Sequence, residues 1–276
     1  MKNRSGAVSF LYSTVAGRLL LKLIMALRLD RIVVCFLRSP LSKPVILPFA
    51  RKNSIALTAE QLSSFRSFRD FFARYDGERP FDRLPEHLIS PCDGWLSAFP
   101  IDESSSFSIK NSHYRLSDLL QDELLARKFI GGDCLIFRLC VNDFHRYCYI
   151  DEGFQRENHF IPGTLHSVQP IACETFPVFV LNRRSWCLMD TAHFGSVVQC
   201  EIGALVVGGI VNHKENAPFE RGEEKGHFDL SGSTIVLLFE PGQIELNGEI
   251  LKKLSLTDEV QVKQGEWIGC SKPALQ

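Results

Sequence analysis

Gly232-Ser233-Thr234 stands directly before the apolar run Ile235–Phe239 and places an unhindered serine hydroxyl beside a glycine carbonyl. With a base nearby, such a hydroxyl can attack the Gly232 carbonyl in an N-to-O acyl shift. β-Elimination of the ester then breaks the chain. Ser233 becomes dehydroalanine and, on loss of ammonia, a pyruvoyl group at a new N-terminus. That carbonyl condenses with an amine and accepts the electron pair left when carbon dioxide departs, a sink no ordinary side chain supplies. The plainer meaning of the same residues is a glycine-bearing strand entry or bulge.

Two other segments carry candidate groups. In Ile89-Ser90-Pro91-Cys92-Asp93-Gly94, Asp93 reads first as a turn residue. It also reads as a carboxylate held on a tight turn, able to orient an imidazole. In Asn142-Asp143-Phe144-His145-Arg146-Tyr147-Cys148, His145 follows a strong strand signal and can serve as a general base or acid. Its plainer role is a hydrogen-bonded histidine. Asp143 is expected to cap the strand end, with Arg146 paired to it. The i, i+3 spacing of His145 and Cys148 could ligate zinc, but no second pair supports it, so no metal is expected.

The elements that must position these groups differ along the chain. Leu11, Val15, Leu19, Leu23 and Leu27 recur at helical spacing, so Ser9 to Leu29 reads as amphipathic helix. Arg18, Lys22, Arg28, Arg31, Arg38 and Lys43 make that region basic, the pattern of an interfacial membrane helix, though the periodicity equally suits an ordinary helix packed on its own domain. No uncharged apolar run reaches the ~18 residues of a transmembrane span, and a cleaved signal peptide is not expected. Thr58 with Gln61 forms a capping-box pattern before a second helical region. From Leu88 onward the chain is strand-rich. Cys134–Val141 alternates cleanly, Val197–Ile210 reads as two strands or a strong bend, and Asn247-Gly248 between apolar runs reads as a hairpin turn. The fold class is α+β, with amphipathic N-terminal helices over residues 1–75 and a β-rich catalytic body over 76–276.

The formal net charge of −1 gives no field for nucleic acid. The nine cysteines are odd in number, irregularly spaced and free of C-x-x-C, which suits reduced, mostly buried thiols.

Taken in order, LYSTVAGRLLLKLI, FRSFRDFFARYDGERPFD, ISPCDG, FRLCVNDFHRYCYIDEG, FGSVVQCEIGALVVGGIV and RGEEKGHFDLSGSTIVLLFEPG resemble blocks of the phosphatidylserine decarboxylase proenzyme family over nearly the whole chain. The resemblance implies self-cleavage between Gly232 and Ser233. The products would be a β chain of residues 1–232 and an α chain of 276 − 232 = 44 residues, 233–276, carrying a pyruvoyl cofactor derived from Ser233. It also implies an Asp–His–Ser relay, in which Asp93 matches the family aspartate and Ser233 the family serine.

One departure stands out. The family's histidine segment commonly holds two histidines three residues apart, the second assigned to the relay, and that second position is Cys148 here. Three outcomes stay open: His145 serves as the base, His166 fills the gap, or the chain matures poorly.

The implied substrate is phosphatidylserine and the product phosphatidylethanolamine. The implied setting is peripheral attachment to the cytoplasmic side of the cell membrane through an anionic surface, with homodimerisation open. The rivals are a soluble pyruvoyl-dependent amino-acid decarboxylase and a non-catalytic membrane-associated binding protein.

Overall fold

The computed structural model describes residues 10–11, 14–26, 29–75, 77–104, 106–109, 112–164, 178–203, 209–230 and 233–272. The N-terminal part is helical: α1 Val15–Ala26, α2 Leu29–Arg38, a 3-10 turn Pro40–Ser42, α3 Lys43–Lys52, α4 Ala59–Ser64 and α5 Phe68–Phe72. The Thr58 capping box forms as read from sequence, with both reciprocal hydrogen bonds present. Ser67 caps α5 by accepting from the Asp70 amide.

Phenylalanines weld these helices together. Phe68 and Phe71 of α5 meet Phe49 edge-on at 4.9 and 6.1 Å, and Phe65 packs on Phe71 at 5.7 Å. Each buried ring contributes about 1.5–3 kcal/mol by leaving water, and edge-on contacts add to that. No single described helix is long and apolar enough to cross a membrane. The segments Ile32–Arg38 and Pro40–Lys52 reach that length only as a pair bent by 85°.

The strand-rich body begins with β1 His87–Ile89, β2 Gly94–Pro100, β3 Ser106–Ile109 and β4 Ser112–Arg115. It continues through α6 Leu116–Leu120, α7 Glu123–Arg127, β5 Asp133–Leu139, β6 Arg146–Cys148 and β7 Gly153–Ile161. Then come α8 Val178–Leu181, β8 Arg184–Thr191, β9 Ser196–Ile202, β10 Ile210–Asn212, β11 Ala217–Phe219 and β12 Glu224–Phe228. The chain closes with β13 Ser233–Phe239, β14 Ile244–Leu246, α9 Gly248–Leu256, β15 Val260–Val262 and β16 Trp267–Ser271.

An antiparallel sheet of eight strands, ordered β11-β7-β8-β9-β13-β5-β2-β15, forms the backbone of the body. β13 is wholly buried at its middle, hydrogen-bonded to β9 on one side and β5 on the other. Because side chains alternate across a strand, Val236 and Leu238 join Cys134 and Ile136 under α6 to α8. Ile235, Leu237 and Phe239 join Leu135, Phe137 and Leu139 on the opposite face. Two three-stranded sheets, β1-β16-β14 and β10-β12-β6, contribute to the core on that second face.

The mixed architecture with a β-rich body agrees with the reading from sequence. The Asn247-Gly248 hairpin does not form. Asn247 sits in extended conformation, its side chain accepts from the Ile250 amide at 2.8 Å, and it caps α9 instead. β14 pairs with β16, not with a strand across that turn. The described cysteines are all free, and most are buried.

Candidate active site

Ser233 is the first residue of β13, 1% exposed, and lies opposite Leu139, the last residue of β5. By strand alternation its side chain shares a face with Ile235 and Leu237, the face packed against β6 and β12. Five residues separate Leu139 from His145. The His145 carbonyl accepts from the Phe228 amide at 2.9 Å, at the end of β12. The chain between Phe228 and Ser233 therefore starts at His145 and ends beside the strand that leads to His145. Gly232 and His166 lie outside the described residues.

His145 is buried and its ring is fixed. Nδ1 lies 2.9 Å from the Asp143 carbonyl, and the ring packs against Phe72 with centroids 4.1 Å apart. A carbonyl only accepts, so the Nδ1 proton is the donor and the lone pair is left on Nε2. Nε2 is buried with no hydrogen-bond partner among the described residues. Burial lowers the His145 pKa to about 3, and nearby Arg74 adds to the depression while the Asp143 carbonyl opposes it. The imidazole is thus neutral at physiological pH, with its basic nitrogen unengaged.

This shift sets a pH dependence. The unfolded histidine takes up a proton near pH 6.5 while the folded one resists down to about 3. Stability from this group is complete above about pH 6.5 and is lost progressively as pH falls toward 3. Urea unfolding of a Ser233→Ala chain should show a decline over that window on the order of a few kcal/mol. His145→Gln on that background should flatten the decline, and an unchanged slope in that variant would refute the neutral, buried assignment.

Asp93 is 3% exposed and held by the turn that follows β15. Its Oδ1 accepts from the Gln264 amide at 3.0 Å and its Oδ2 from Lys263 Nζ at 3.1 Å, with Arg79 Nη1 at 3.8 Å. Gly265 makes that turn attainable. Its φ of +80° is left-handed, and a Cβ there would stand 2.5 Å from the Pro80 carbonyl.

Asp93 and His145 do not hydrogen-bond. Asp143 comes between them in effect. Its carbonyl holds the imidazole, and its own carboxylate accepts from the Cys140 amide at 2.7 Å, capping the end of β5 as expected. Burial raises the Asp143 carboxyl above its ordinary value. The Cys140 amide and Lys263 pull it down, and the charge of Asp93 pushes it up again.

Arg146 does not pair with Asp143. Its guanidinium donates to Glu224 at 2.6 Å and to the carbonyls of Ala73 and Arg74. Cys148 lies against the Pro91 turn: its amide donates to the Pro91 carbonyl at 2.9 Å, and its sulfur faces the Ser90 carbonyl at 3.9 Å. Burial pushes its thiol up to about 12. A thiol protonated at neutral pH is no base.

Several charged residues escaped the sequence reading because no local pattern announces them. Lys225 and Glu201, both 0% exposed, pair at 2.7 Å beneath Tyr147. Burial alone would lower the Lys225 pKa, but Cys187 and Glu201 raise it on balance. Arg221 ties the carbonyls of Asp82, His87 and Ile150 together. His213, Glu224 and His227 bring potential metal-ligand atoms within 4.8 Å of one another, but the Glu224 carboxylate is already engaged by Arg146.

The model of the phosphatidylserine decarboxylase family matches residues 68–270. Phosphatidylserine decarboxylase proenzyme 2 of Clostridium acetobutylicum is 42% identical over 269 residues, covering 96% of this chain and 92% of its own. The phosphatidylserine decarboxylase proenzyme of Clostridium beijerinckii is 36% identical over 271 residues, covering 95% and 91%. That of Ruminiclostridium cellulolyticum is 38% identical over 267 residues, covering 94% and 89%.

Proposed function

The chain belongs to the phosphatidylserine decarboxylase family, and we propose that it cuts itself between Gly232 and Ser233 and then converts phosphatidylserine to phosphatidylethanolamine. What supports this reading is a buried serine at the head of the central strand, opposite Leu139, and a neutral imidazole further along the same chain whose Nε2 has no partner among the described residues. His145 Nε2 is the base that receives the Ser233 Oγ proton as the oxygen attacks the Gly232 carbonyl. The C–N bond of Gly232–Ser233 breaks and an ester forms. Removal of the Ser233 Cα proton then expels the Gly232 carboxylate. Water replaces the resulting imine nitrogen, which leaves as ammonia.

A pyruvoyl group fits this place. It has the three carbons of the serine it replaces, and it keeps the first position of β13, buried at 1% exposure. It supplies the sink for the electron pair left by departing carbon dioxide. The chain's own residues do the rest. β5 and β9 hold the new terminus rigid, and the buried setting keeps bulk water away. Asp93 acts as a positioning residue, anchoring the Lys263-Gln264 turn beside Asp143, whose carbonyl aims the imidazole.

Attachment to the cytoplasmic face of the membrane rests on the N-terminal helices. Ile32 and Leu41 are 67% and 77% exposed, and Val33 and Phe36 project beside them. Arg51 and Lys52 at the end of α3 are exposed and suited to anionic head groups.

Two measurements on the purified protein test the proposal. Borohydride with phosphatidylserine, or hydroxylamine alone, should add mass only to a 44-residue fragment, 233–276. The protein should float with vesicles containing anionic lipid. No mass shift would remove the pyruvoyl reading. Carbonyl trapping without vesicle binding would favour a soluble amino-acid decarboxylase.

A further inference from the structure

We propose that the N-terminal helices act as the jig for self-cleavage, with Asp229 and Leu230 as positioning residues that dock the segment to be cut; this rests on the reading that the Gly232–Ser233 bond is severed. Asp229 lies four residues before Ser233. Its carboxylate meets Arg69 of α5 through Nε and Nη2, each at 2.9 Å, and Arg38 Nη2 at the end of α2, at 3.3 Å. His227 Nε2 stands 3.6 Å away, and the Asp229 amide donates to the Gly209 carbonyl at 2.9 Å.

Leu230 follows at once and leaves the β-rich body. It is 2% exposed and packs with Ile46, Ala50, Phe68, Phe71 and Phe72, the core of the helical part. The approach to the bond is thus fixed by charge at one residue and by burial at the next.

The same helix fixes the base. Phe72 of α5 carries the imidazole of His145, and Arg146, next in sequence to His145, donates to the Ala73 and Arg74 carbonyls just past α5. A five-residue helix therefore touches both the segment that leads to the bond and the base, Arg69 gripping Asp229 and Phe72 packing on His145. Acyl shifts demand attack within a narrow range of distance and angle, and a displacement near 1 Å costs about a hundredfold in rate.

The charged contact separates positioning from stability. Arg38 and Arg69 are about half exposed, so their pairs add little to global stability. Their loss should slow cutting far more than it destabilises the fold.

The test follows the appearance of fragment 233–276 with time after synthesis in a cell-free system. Asp229→Asn and Leu230→Ala should slow it about tenfold or more, and Asp229→Glu should restore it to within about threefold of wild type. The same substitutions placed on Ser233→Ala, which cannot be cut, should leave the melting temperature of the Asp229 variants within a few degrees of their parent. Cutting at the wild-type rate in Asp229→Asn and Leu230→Ala overturns the proposal. So does slowing that simply follows loss of melting temperature across the set. Wild-type protein that stays whole overturns this proposal and the cleavage reading together, whereas wild type that cuts alongside equally fast variants overturns only this one.

Discussion

Ser233→Ala should accumulate as one uncut chain of 276 residues, without carbonyl reactivity and without decarboxylase activity, while wild type separates on denaturing gels into residues 1–232 and 233–276. The expectation follows from where the hydroxyl is needed twice. It is the nucleophile that converts amide to ester, and its oxygen is the leaving group that creates the unsaturated precursor of the cofactor. Alanine removes both roles and adds nothing bulky. Ser233 is buried opposite Leu139, so losing one oxygen should leave β13 seated between β5 and β9. Intact mass decides the matter. A Ser233→Ala chain that still yields the small fragment, or a wild type that never does, would end the proposed chemistry.

His145→Gln should reduce cutting by about 10²–10⁴-fold, the usual contribution of a positioned general base. Glutamine nearly matches the imidazole in size against Phe72 but offers no basic nitrogen. Cys148→Ala should cut at close to the wild-type rate, because a thiol held up to about 12 is already useless as a base at pH 7. His166→Ala completes the set. If that change alone abolishes the fragment, the base is His166 and the assignment to His145 falls. Rates come from the same time course of fragment release, so the three variants can be ranked directly.

What the sequence disclosed and what it hid divide along physical lines. The capping box at Thr58, the alternation of β5 and the apolar run of β13 are signals carried within a few consecutive residues, and each reappears in the fold. Asn247-Gly248 failed because asparagine serves two local purposes. The side chain that suits a tight turn also satisfies free amides at the start of a helix, and the partner strand that would have chosen the turn is absent. The link from His145 to Asp143 in place of Asp93 is a backbone contact, to which side-chain spacing is blind. Arg38 and Arg69 lie 191 and 160 residues from Asp229, and the buried pair of Lys225 and Glu201 joins separate sheets. Such contacts depend on tertiary approach, which no window of sequence encodes.

The central seat of β13 has an outcome for the life of the molecule. Residues 233–276 thread three places at once: β13 at the middle of the large sheet, β15 at its edge against β2, and β16 beside β1. Severing the backbone ahead of such a piece leaves two polypeptides interlocked, with nothing to loosen them short of melting the whole. The proposed cleavage would then follow assembly, since the groups that carry it out come from the parts it divides. On the proposed cleavage, a melted molecule would have to find its other half by collision before it could fold again.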